Sequence, residues 1–193
     1  MNKGRLEAFS DGVFAIIITI MVLEIKVPVG VSWESLRPLI PTMISYIISF
    51  LFIGIYWVNH HHLLHTIKKV NSAILWSNIG LLFWLSLVPV ATAWMGETHF
   101  ASNPVALYAV LLLCCGSAFT ILQFNIEKMI KHDEKLKHAF KILKVKGILS
   151  VAIYSTAFLF AFINTVVSEV LFLLVSVMWF IPDRNIERAV AGE

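Results

Sequence analysis

The chain has 193 residues and a formal charge of +3, with 59% hydrophobic and only 14% charged residues, where an ordinary soluble domain has about 45–50% apolar and about 25% charged. A soluble globule is excluded by that balance. A bilayer-spanning helix needs about 20 predominantly apolar residues, so this length holds roughly six spans and no sizeable extramembrane domain, and 1–193 reads as a single transmembrane domain.

The first apolar run covers 6–23 and ends at Glu24-Ile25-Lys26-Val27-Pro28. Glu7 and Asp11 interrupt the basic start of a signal peptide and no small-residue cleavage site follows, so it reads as a retained span. The second span is expected over 38–59 and the third over 73–95, with Pro89 kinking the third. The fourth is expected over 103–126. It contains Cys114 and Cys115, whose adjacency in an apolar run suits packing and neither a disulfide framework nor a thiolate metal site. The fifth and sixth, over 143–163 and 165–181, are divided only at Asn164-Thr165 and must form a tight hairpin if both span.

Six spans place Lys3, Arg5, Lys68, Lys69, the seven lysines from Lys128 to Lys146, Arg184 and Arg188 on one side. Only Lys26 and Arg37 fall opposite, so both termini should be cytoplasmic. The stretch 127–146 mixes Met129, Ile130, Leu136, Phe140 and Ile142 with lysines. It reads either as an interfacial amphipathic helix along the anionic inner leaflet or as a solvated loop obeying the positive-inside rule. The basic residues form no aromatic-interleaved patch, so no nucleic-acid partner is expected.

Asp11 lies near the cytoplasmic end of the first helix and Glu24 near its outer end, and the mid-membrane stretches of the other spans lack Asp, Glu, Lys and Arg. Carboxylate-relay transport is disfavoured, because ionisable groups at membrane depth are costly and persist where they perform a task. No Thr-Val-Gly-Tyr-Gly type segment offers a carbonyl filter. An ion path would need a side-chain lining, with a hydrophobic constriction able to gate by dewetting. Ser and Thr in the spans lack a positioned base, so an enzyme is not expected.

At about 100° per residue, Gly12, Ile16, Thr19, Ile20 and Leu23 form one stripe of the first helix and Asp11 points away from it. Periodicity alone leaves a pore lining and a buried seam equally open. Arg5 and Asp11 are six residues apart and do not face each other, so their partners should come from other helices or subunits. Phe9-Ser10-Asp11 at a helix start reads either as capping or as part of an interhelical network. Asn78 in the third span needs a hydrogen-bond partner. His60-His61-His62 with His65 invites a metal reading, but no cysteine or carboxylate completes a site and His99, His132 and His138 are expected in loops. Interfacial packing or the Asp11 network is preferred. Trp76, Trp84, Trp94 and Trp179 read as packing or interfacial anchors.

Arg5-x-x-x-Phe9-Ser10-Asp11 resembles the hallmark of the transmembrane protein 175 family of potassium channels. The resemblance continues through Tyr56-Trp57-x-Asn59-His60-His61, Asn78 and the closing Ile181-Pro182-Asp183-Arg184. With one six-helix repeat, the chain looks like the prokaryotic form, which implies a homotetramer in the plasma membrane. The resemblance implies that the first helix lines a central pore narrowed by bulky hydrophobic side chains. Carried over by position, Ile16, Thr19 and Leu23 lie on the axis with Ile20 alongside, while Trp57, His61 and Asn78 join Ser10 and Asp11 in a network holding the pore helix. Function is then passive, potassium-preferring conduction with no cofactor beyond the permeant ion. The rivals are a secondary transporter or proton leak on the same scaffold and a non-conducting protein whose stripe is an oligomer seam.

Overall fold

The computed structural model describes residues 2–130 and 134–180. Arg184, Arg188, the closing 181–184 and His132 lie outside the described residues. The protein is all-α: α1 Lys3–Leu23, a 3-10 segment Trp33–Leu39, α2 Ile40–His65, α3 Ser72–Ser86, α4 Val88–Glu97, α5 Ser102–Glu127, α6 Glu134–Phe160 and α7 Thr165–Phe180. The starts of α1, α2 and α3 have local causes. The Asn2 side chain accepts from the Gly4 N–H at 3.2 Å, the Asn71 side chain accepts from the Ile74 N–H at 2.9 Å, and Pro41 occupies the first turn of α2, where a missing N–H costs nothing.

The third span is two helices in sequence. Pro89 lacks the N–H that would bond the Leu85 carbonyl, so the ladder stops at Leu87 and restarts as α4. Among the described residues five helical segments, with α3 and α4 taken as one and the 3-10 segment joined to α2, are long and apolar enough to cross a membrane. α7 is 16 residues, about 24 Å, against a hydrocarbon core of about 30 Å. The α6–α7 turn is as tight as expected: the Ala161 N–H still bonds the Ala157 carbonyl at 2.9 Å, the Asn164 side chain accepts from Val166 N–H at 3.1 Å, and Ser168 donates across the hairpin to the Ala157 carbonyl at 2.7 Å.

Two expectations are corrected. The lysine-rich stretch is not a separate interfacial helix, because α6 begins at Glu134 and runs unbroken to Phe160. His138 therefore sits on a helix and not in a loop. The cause is that Leu136, Ala139, Phe140 and Leu143 keep helical spacing and are buried against the bundle, so packing carries the helix through the lysines.

α5 is the central element, packing against α3, α4, α6 and α7, with Tyr108, Leu112, Cys115 and Leu122 fully buried. Cys115 is thus core and Cys114 lies beside it, half-buried. A chain of hydroxyls ties three helices together inside this core. Thr92 donates to Ser49 at 2.7 Å, and Ser49 shares a 2.8 Å hydrogen bond with Tyr108, satisfying polar groups that have no water to turn to.

α2 and α4 meet closely at Gly96, where an added methyl carbon would stand 2.5 Å from Ser45 Oγ and 2.7 Å from Thr42 Cα. Gly96→Ala should push the helices apart and cost about 1–3 kcal/mol, as overpacking does. The thermal midpoint of the solubilised protein reads this out, and an unchanged midpoint would contradict the close approach.

The helices alternate in direction. Glu7 of α1 stands 3.9 Å from His65 at the end of α2, and Asn71 at the start of α3 contacts Met129 just past α5, so Lys3, Arg5, Lys68, Lys69 and the lysines of early α6 gather at one end. At the opposite end Lys26 pairs with Glu97 at 2.6 Å. The Glu97 carboxylate raises the Lys26 ammonium above its ordinary value, first by the hydrogen bond and then by its charge. The pair is exposed and adds little stability.

Candidate functional site

α1 has two unlike faces. Leu6, Ser10, Phe14, Ile17 and Met21 recur every three or four residues and are buried against α2, α3 and α4. The face roughly opposite, carrying Gly12, Ile16, Thr19, Ile20 and Leu23, is open within the subunit. Ile16 is 57%, Ile20 42% and Leu23 79% exposed, and nothing lies within 4 Å of where a Gly12 side chain would begin. Thr19 is the one hydroxyl in this apolar stripe. It donates to the Ile16 carbonyl at 2.9 Å, which spends its proton on the helix and leaves oxygen lone pairs for a cation.

The buried face is fixed by a polar chain in an otherwise apolar interface. Asn78 of α3 donates to Ser10 Oγ at 3.0 Å, Ser10 donates to the Leu6 carbonyl at 2.9 Å, and Asn78 Oδ1 accepts from His60 Nε2 at 2.7 Å. All three side chains are essentially inaccessible. Phe14 closes over the His60 ring, centroids 5.5 Å apart. Beside this chain, Trp57 Nε1 donates to Asp11 Oδ1 at 2.9 Å. Apart from the Ser10–Leu6 bond within α1, each of these hydrogen bonds joins two different helices, so the chain sets both the rotation and the height of α1.

Of the residues expected in that network, Ser10, Asp11, Trp57 and Asn78 come together. Among the described residues His61 does not join by hydrogen bond. Its ring lies tilted between those of Trp57, at 6.1 Å, and His65, at 4.4 Å. His60 takes the expected place, and the sequence held the signal: Ser49, Phe52, Ile53, His60, Leu63 and Leu64 share the buried register of α2, from which His61 is rotated by about 100°. The Arg5 side chain is exposed and makes no hydrogen bond or ion pair within the subunit among the described residues, and Phe9 is exposed on the side of the open stripe. Among the described residues no cluster of three His, Cys, Asp or Glu could hold a metal ion.

The profile of a family described as "Endosomal/lysosomal potassium channel TMEM175" matches residues 5–89, the segment holding α1, the network and the break at Leu87. The protein "Potassium channel HX13_20290" of Chryseobacterium sp. (strain P1-3) is 51% identical over 190 residues, 98% of each chain. The crystal structure of a lysosomal potassium-selective channel TMEM175 homolog from Chamaesiphon minutus superposes with a TM-score of 0.77 at 30% identity, covering 92% of this chain and 95% of that one. The Gallus gallus "Endosomal/lysosomal proton channel TMEM175" is 31% identical over 154 residues, 72% of this chain and 30% of that protein.

Proposed function

This chain belongs to the TMEM175 family, and from that premise we infer that it is a potassium channel in which α1 of four identical subunits surrounds one central pore. It is a multi-pass membrane protein and not an enzyme. The observation that carries the pore reading is the open stripe of α1: an apolar face with a single hydroxyl, on a helix whose other face is pinned by buried hydrogen bonds, is what a pore-lining helix presents. Four copies of Ile16 and Leu23 form hydrophobic constrictions, and four Thr19 hydroxyls between them replace part of a potassium ion's hydration shell. Sodium holds its water more tightly and is disfavoured by the same rings. No proton relay or coupled carrier is required, and potassium is the only cofactor-like species. With the basic ends of the helices facing the cytoplasm, both termini lie on the cytoplasmic side of a prokaryotic plasma membrane.

Flux into liposomes containing the purified protein tests this, with potassium and sodium in parallel and the mass of the solubilised complex measured alongside. A four-subunit mass with potassium flux exceeding sodium flux is expected. A folded monomer or dimer would remove the four-helix pore. Because the Gallus gallus relative is named a proton channel, proton flux is measured as well, and proton flux without potassium flux would favour the leak reading.

A further inference from the structure

We propose that the lysine-bearing face of α6 is a binding site for an anionic phospholipid of the leaflet on its side, with the headgroup phosphate held by Lys141 and Lys144 and an acyl chain lying along the helix below them. Lys137, Lys141 and Lys144 are exposed and fall within one helical sector, and that sector continues through Val145, Ile148 and Leu159, each about 60% exposed. The opposite sector, from Leu136 through Tyr154, is packed into the bundle. A row of ammonium groups therefore runs straight into an open apolar stripe on one helix, which is the order of chemistry along a phospholipid. The four-carbon stems of the lysines lie on apolar surface while their charged ends reach the headgroup layer.

The charge pattern asks for an anion. Lys141 is four residues from Lys137 and three from Lys144, spacings at which like charges repel. The positions three and four away from Lys141 and Lys144 hold Lys137, His138, Phe140, Val145, Gly147 and Ile148, and no carboxylate stands at those spacings from either lysine. At the end of α5 on the same side of the bundle, Lys128 sits over the exposed Phe124 ring, 4.1 Å from its centroid, and adds to the positive charge there. A phosphate bridging two lysines relieves the repulsion, and a lipid is preferred to a free anion because only a lipid also covers the stripe. Headgroup attraction is worth about fivefold in affinity for each lysine at the surface.

The test measures the thermal midpoint of the full-length protein in detergent while phosphatidylglycerol, phosphatidylcholine or inorganic phosphate is titrated, for the wild type and for Lys141→Gln/Lys144→Gln. Phosphatidylglycerol should raise the wild-type midpoint more than phosphatidylcholine does. The double variant should bind phosphatidylglycerol about 25-fold more weakly while keeping its midpoint in phosphatidylcholine, which shows that it is folded. A third variant, Ile148→Ser, should weaken the lipid with both lysines present. Equal effects of the two lipids, or an undiminished effect in the double variant, would overturn the site. A full shift with inorganic phosphate would leave a free-anion site and overturn the lipid. None of these readings depends on conduction, so the site and the channel reading fail separately.

Discussion

Ile16→Asn is expected to raise ion flux several-fold and to bring sodium flux close to potassium flux. Ile16 lies on the open face of α1, one turn before Thr19. In a four-helix pore its side chains form a dry ring that an ion crosses only after shedding water, and four carboxamides would hold water there. A fall of about 1.4 kcal/mol in that barrier multiplies the rate about tenfold. The loss of preference follows because the ring no longer penalises the ion that keeps its water. Liposome flux of both ions measures it, with complex mass showing that assembly is intact. Unchanged flux and unchanged preference in an intact complex would show that Ile16 faces a seam or lipid.

Asn78→Leu should be the most damaging substitution outside the open face. Asn78 joins Ser10 and His60; its loss leaves the buried His60 Nε2–H without an acceptor, at about 1–3 kcal/mol for an unsatisfied buried group, and takes the donor from Ser10 Oγ, which keeps its own bond to the Leu6 carbonyl. Ser10→Ala removes the same bond from the other side and leaves the Asn78 amide short of an acceptor. The two changes share an interaction, so their combined effect on thermal stability should be smaller than the sum. Strict additivity would show that the bond is not a unit. Because the chain sets the rotation of α1, Asn78→Leu should also lower potassium flux in the protein that remains folded.

The spans were legible because their apolar runs are long, and the break at Leu87 because proline withholds a donor. The beginning of α6 was hidden. Lysines from Lys135 to Lys146 lower the local hydropathy, so the apolar run starts only at Leu143, whereas the helix follows the spacing of Leu136, Ala139, Phe140 and Leu143. In the site, Ser10, Asp11 and Asn78 stand out in the sequence as polar residues in a span, and each has a partner on another helix. His60 and not His61 lies in the buried register of α2, which counting about two turns on from Phe52 or three from Ser49 supplies. The stripe on α1 is periodic in the sequence and open in the subunit, and what covers it is a property of the assembly, which is written in neither one helix nor one chain.

The central claim, that the open face of α1 surrounds the ion path, is tested most directly by silver-ion block of single cysteines in the conducting protein. Leu23→Cys and Thr19→Cys, placed on that face, are compared with Leu159→Cys on the exposed side of α6 and with the wild type, whose own Cys114 and Cys115 serve as the background. Rapid block of potassium current at positions 19 and 23, with none at position 159 or in the wild type, is the result expected. Block at position 159 and none at 19 or 23 would place the ion path elsewhere and contradict the account.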